Sequence, residues 1–183
     1  AYEITGKDYL PYFTETVLFS SDLLSSLSEL HHMIMHEEKD FKKEEILLLI
    51  IEQLIAEYDH AGAALTTQPP NTEIKAVCDF LENNYMKSIT LNDLSDLTGI
   101  SKYYLLRSFT KQKGISPYCY LETIRIGNAK KLLEQQIAPI DVALQTGFTD
   151  QSHFTNFFKK LIGLTPKQYM NIFTEGSRRS GNE

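Results

Sequence analysis

The sequence predicts an all-α chain: an N-terminal helix hairpin followed by two helix–turn–helix units joined by one long central helix. Three observations carry this expectation. Apolar residues recur at three- and four-residue spacing, with no strand-like alternation after Thr72. The stretch Thr66-Thr67-Gln68-Pro69-Pro70-Asn71-Thr72 interrupts that pattern, because two prolines cannot continue a helix. Beyond it the chain repeats itself at an offset of 48 to 49 residues.

In chain order, the front part holds two helical patterns. The first runs from about Asp22 to His36, with Leu23, Leu27, Leu30 and Ile34 at helical spacing and Ser20, Ser21 or Asp22 as cap. The second spans about Lys43 to His60. Its Ile46, Leu47, Leu48, Leu49, Ile50, Ile51, Leu54 and Ile55 are apolar on more than one face, which a hairpin alone does not cover. Leu47, Ile50, Ile51 and Leu54 are therefore assigned to a dimer interface, with a core seam as the alternative. Upstream, Tyr12, Phe13, Val17, Leu18 and Phe19 look extended or irregular. The expected division is 1–65 as a front region, 66–72 as linker, 73–174 as the tandem-motif domain and 175–183 as a flexible tail.

After the linker, Ile74, Val77, Phe80 and Leu81 mark a helix ending near Asn83 and Asn84. Thr90-Leu91-Asn92-Asp93 has the form of a capping box that starts a short one. The repeat follows. Leu94, Ser95 and Gly99 match Val142, Ala143 and Gly147 at 48 residues, and Leu105, Phe109, Gly114, Pro117 and Tyr120 match Phe154, Phe158, Gly163, Pro166 and Tyr169 at 49. Each copy reads as helix, tight turn, second helix. Gly99 and Gly147 supply the left-handed residue that ends the first helix. Ser101, and Thr149 or Asp150, then cap the second.

In each second helix one side is anchored, by Leu105 and Phe109 or by Phe154 and Phe158, since four residues return to the same face. The other side then presents Tyr103, Leu106, Arg107 and Thr110 in the first copy, and Gln151, Ser152, Thr155 and Asn156 in the second. Hydrogen-bonding side chains beside an anchored seam are what a helix lying in a DNA major groove needs. Lys102, Lys111, Lys113, Lys159 and Lys160 are the candidates for phosphate contact. Ser116-Pro117 and Thr165-Pro166 each place an N-cap residue before a proline at the first helical position. The helix from Pro117 to about Gln136 is ~28 Å long at 1.5 Å per residue, near the ~34 Å of one DNA turn. A plain helical domain whose units merely pack is the bland alternative. The repeat and the two matching proline starts argue against it.

Charge permits this reading without demonstrating it. The net charge is −6, but residues 1–70 hold 4 basic and 13 acidic residues, a charge of −9. The remaining 14 basic and 11 acidic residues give +3, so only the back half favours phosphate. Cys78 and Cys119 sit in apolar patterns that suit buried, reduced thiols. No signal-peptide pattern is seen, and Ile46 to Ile51 is far shorter than the ~18 residues of a membrane span, so a cytoplasmic location and no membrane partner are expected. His32 and His36 stand one turn apart beside His31, yet no third ligand at known spacing accompanies them, so no metal and no cofactor are expected. No catalytic constellation or phosphate-cradling glycine loop speaks for an enzyme.

From Thr72 to about Phe173 the chain resembles the AraC-type transcription regulators. The motifs are Gly147-Phe148, Asp150-Gln151-Ser152, Phe154, Phe158-Lys159-Lys160, Gly163 and Thr165-Pro166 with Tyr169. The resemblance implies two motifs on a long central helix that bind adjacent major grooves of double-stranded DNA. By position, Tyr103, Leu106, Arg107, Gln151, Ser152 and Asn156 would face the bases. It also implies that residues 1–65 are the end of a regulatory barrel and its dimerisation hairpin, giving a homodimer, with RNA polymerase a further partner of an activator. Asn156 stands where the family usually has Arg, Leu106 where a polar residue is common, and Pro139 takes an apolar position beside Ile140. The first motif is therefore expected to supply more of the specificity. The rival reading is a protein-interaction module acting through a partner protein.

Overall fold

The computed structural model describes residues 21–36, 40–58 and 71–179, which form helices joined by turns, with no strand among them. Tyr12, Phe13, Val17, Leu18 and Phe19, and residues 59–70 with most of the expected linker, lie outside the described residues. The front pair is α1 (Ser21–Met35) and α2 (Asp40–Tyr58), which pack against one another as expected. They bury Leu23, Met33, Phe41 and Ile50, and Lys42 pairs with Glu29 at 2.9 Å. Ile50, only 3% exposed, is therefore core and not open dimer surface, whereas Leu47, one turn earlier on α2, is exposed.

Next come α3 (Asn71–Asn84), α4 (Leu91–Thr98), α5 (Lys102–Lys113) and α6 (Pro117–Glu134). The last three are α7 (Pro139–Gln145), α8 (Gln151–Ile162) and α9 (Pro166–Arg179). Two expected boundaries move. Asn71 and Thr72 already belong to α3, and residues 175–179 continue α9 where a tail was expected. Cys78 is buried as expected, but Cys119 is exposed on α6.

Local chemistry sets these ends. Thr90 closes a capping box on α4: its N–H donates to Asp93 Oδ2 at 2.8 Å, and the Asp93 N–H donates to Thr90 Oγ1 at 3.2 Å. Thr165 and Gln168 do the same for α9. Asp150, rather than Thr149, caps α8 by accepting the His153 N–H at 2.8 Å. Ser101 stands at the start of α5 but its side chain makes no capping bond.

Packing divides the described chain into two compact units. One holds the described residues up to Phe80 together with Ile89–Tyr118, so α1 and α2 share a unit with the first helix–turn–helix, α4 and α5. The other holds Leu81–Ser88 and the residues from Cys119 onward, with the second, α7 and α8. Its core is Ile126, Ala129 and Leu133 of α6, Val142 and Ala143 of α7, Phe148, and Phe154 and Phe158 of α8.

Candidate nucleic-acid interface

In the second motif the anchored face of α8 is fully buried. Phe154 meets Phe148 at 5.0 Å and Phe158 at 5.5 Å between ring centroids, and Phe158 meets Tyr169 of α9 at 5.5 Å. Each such ring contributes roughly 1.5–3 kcal/mol of burial, which fixes the rotation of the helix. The consequence is on the far side. Gln151, Ser152 and Asn156 are exposed, and Lys159 and Lys160 continue the exposed surface into the last turn. The helix N-terminus that carries Gln151 and Ser152 also favours an anion.

Pro139 opens α7 at its first turn, and Ile140 and Leu144 point to solvent while Val142 and Ala143 are buried. The misfit at Ile140 is absorbed by starting the helix on the proline. Gly147 closes the turn at φ +82, where an added Cβ would lie 2.8 Å from the carbonyl oxygens of Tyr85 and Met86. A glycine is required there twice over, by conformation and by space.

That approach is held by a residue the sequence pattern did not single out. Arg125 of α6 is buried, its Nε donates to the Tyr85 carbonyl at 2.8 Å and its Nη2 to the Lys87 carbonyl at 2.9 Å. Its Nη1 donates to the buried Glu122 at 2.9 Å, and its guanidinium stands 5.9 Å from the Phe148 ring centre. An i, i+3 Glu–Arg pair inside an otherwise apolar stretch was the available signal.

The first motif differs. Leu105 and Phe109 anchor α5 as expected, but Tyr103 and Leu106 are also buried, 4% and 1% exposed, where the helical pattern gave them an open face. Arg107 remains exposed, as do Lys111 and Lys113. The reason for part of this cover is α2. Its Glu52 forms an ion pair with Arg107, 3.5 Å from Nε, and is hydrogen-bonded to the Tyr103 phenol. Burial, then the Glu52 charge, pushes that phenol above its ordinary range. Glu44 accepts from Lys102 Nζ at 2.6 Å. Between them, Glu45 is buried and accepts the Tyr118 N–H at 2.7 Å, and Phe41 packs edge-on to the Tyr118 ring at 5.6 Å. Glu44, Glu45 and Glu52, set against the apolar run of α2, were the legible sign, masked by that run.

Comparison with known proteins agrees with this architecture. A family model described as a helix-turn-helix domain matches residues 94–172. The chain is 56% identical over 151 residues to an uncharacterized HTH-type transcriptional regulator, YbfI, of Bacillus subtilis, covering 82% of this chain and 55% of that protein. The chain therefore spans about half the length of this relative. A probable AraC family transcriptional regulator from Rhodopseudomonas palustris superposes with a TM-score of 0.53 at 26% identity, over 56% of this chain and 98% of that one. Residues 94–172 are a helix-turn-helix domain, similar to those of AraC-type regulators. The DNA-binding domain of AdpA, a global transcriptional factor solved in complex with a target DNA, shares the fold. Its TM-score is 0.54 at 21% identity, over 63% of this chain and all of that one. In this chain, then, α8 has an open polar face, whereas Lys102 and Arg107 of α5 are paired with carboxylates of their own unit.

Proposed function

We propose that this chain binds double-stranded DNA in a sequence-dependent way and regulates transcription, using α5 and α8 as reading helices in successive major grooves. One observation carries it: α8 is rotated by Phe154 and Phe158 so that Gln151, Ser152 and Asn156 stand together on an open face that runs into Lys159 and Lys160. Gln and Asn are the side chains that pair with the N6 and N7 edge of adenine, and Lys neutralises phosphate. On α5, Arg107 is the matching base-edge donor, and Lys102, Lys111 and Lys113 supply charge. The match to a helix-turn-helix family model, and the DNA complex of a protein of the same fold, support this reading. No catalytic step and no cofactor are part of it. The working location is the cytoplasm, and the working assembly is a dimer through α1 and α2.

The test is selection of bound duplexes from a random pool, followed by titration at two salt concentrations. Affinity is expected to fall by ~10³ or more between 50 and 200 mM salt if about six phosphates are contacted. Arg107→Ala is expected to cost about 1–3 kcal/mol on the selected site and much less on random DNA. Equal losses on both would make Arg107 a phosphate contact. Absence of binding to any duplex at low salt would overturn the proposal in favour of the protein-interaction reading.

A further inference from the structure

The two reading faces differ, and the difference lies in α2. Phe41, Glu44, Glu45 and Glu52 fall within about 100° of that helix's circumference, so one side of it carries all four. The same side meets the first motif at three points: Lys102 at the start of α5, Arg107 and Tyr103 in its second turn and first, and the first turn of α6 at Tyr118. These are the groups that a DNA-bound α5 directs at phosphates and base edges. A carboxylate at 2.6 Å from Lys102 uses the position a phosphate oxygen needs, and Tyr103 is covered where it would reach a base.

We infer that α2 is an internal competitor of DNA, its Glu44 and Glu52 occupying the anion positions of the first reading helix, so that α5 engages a duplex only when α2 leaves. The inference rests on the DNA-reading role proposed for α5. The geometry suits a releasable lid. The Glu44–Lys102 and Glu52–Arg107 pairs are only partly buried, and half-exposed pairs are weak and screened by salt. The polar face of α8 is exposed within its own unit, so α8 could hold DNA while α5 is closed. A signal that shifts α2 would then set how many grooves the chain grips.

The experiment uses the full chain and a random-sequence duplex at one low salt concentration. Three proteins are compared: the unaltered chain, E44Q/E52Q, and D22N/D79N, which removes the same charge from exposed positions of α1 and α3. Removing two weak pairs is expected to tighten DNA binding by about three- to thirtyfold in E44Q/E52Q, with little change in D22N/D79N. Equal affinity of all three overturns the competitor and leaves the DNA reading intact. Equal tightening by both variants also overturns it, as general charge repulsion. Failure of all three to bind overturns the DNA reading itself, and the competitor with it. A second readout is independent of the substitutions: amide hydrogen exchange across Glu44–Leu54 of the unaltered chain. Saturating DNA is expected to accelerate it at least severalfold, and unchanged protection overturns the inference.

Discussion

Glu45 is held where two demands oppose each other. Its carboxylate caps the start of α6 by accepting the Tyr118 N–H, which favours the charged form, yet it is buried. Burial wins over the hydrogen bonds from Ser116 and Tyr118, and the carboxyl is pushed up to about 7 from its ordinary 4.5. Between these two values the folded chain holds a proton that the unfolded chain has lost. Stability from this residue is therefore full at low pH and falls as pH rises through that window. Glu45→Gln keeps a carbonyl acceptor for Tyr118 and removes the titration. Urea unfolding across the window should show the variant gaining on the unaltered chain toward neutral pH, by a few kcal/mol at most. A constant difference at every pH would mean that Glu45 does not titrate there. Lys102 and Arg107 belong to the same scale: their residue types marked them as DNA contacts, but only the neighbouring carboxylates show what they do in this state.

At the scale of elements, turns and caps were legible because they depend on a few adjacent residues. The Thr90–Asp93 box, the Asp150 cap and the proline starts of α6 and α9 all stand where the local pattern put them. Glycines separate into two kinds. Gly163 ends α8 at φ +84 with open space around a would-be Cβ, whereas Gly147 faces two backbone carbonyls. Gly163→Ala should cost about 1–2 kcal/mol, the price of a left-handed residue alone. Gly147→Ala must also move backbone held by the buried Arg125, so its loss in thermal or urea unfolding should be at least twice as large. Similar losses would show that the turn yields easily. The exposed Ile140 was not legible in the same way, since its direction follows from where α7 begins, and Pro139 decides that.

At the scale of the whole molecule, the apolar surface of the front helices is the candidate for the proposed self-association. Leu24, Leu27 and Ile34 of α1 and Leu47 and Leu49 of α2 are exposed, although Ile50 is core. A dimer formed through this surface should appear by sedimentation at micromolar concentration, and Leu47→Glu should return it to monomer by placing a charge in the seam. A monomer at all concentrations before substitution would remove the dimer from the proposal. The front region is thus asked for two contacts, one between chains and one with the first motif. The apolar pattern revealed the first expectation and hid the second.

The sequence by itself determined the helices, the internal repeat, the caps and the anchored faces of α5 and α8. These follow from spacing and from backbone chemistry within a turn or two, which no distant residue alters. Tertiary structure alone decided the partition into units, the burial of Arg125 and the closing of one reading face. Those depend on residues 40 to 60 positions apart, such as Glu44 with Lys102 and Arg125 with Tyr85, and no periodicity records such a meeting. The tandem fold was therefore readable in advance, while the carboxylates of α2 that meet Lys102 and Arg107 of the first motif were visible only in the folded chain.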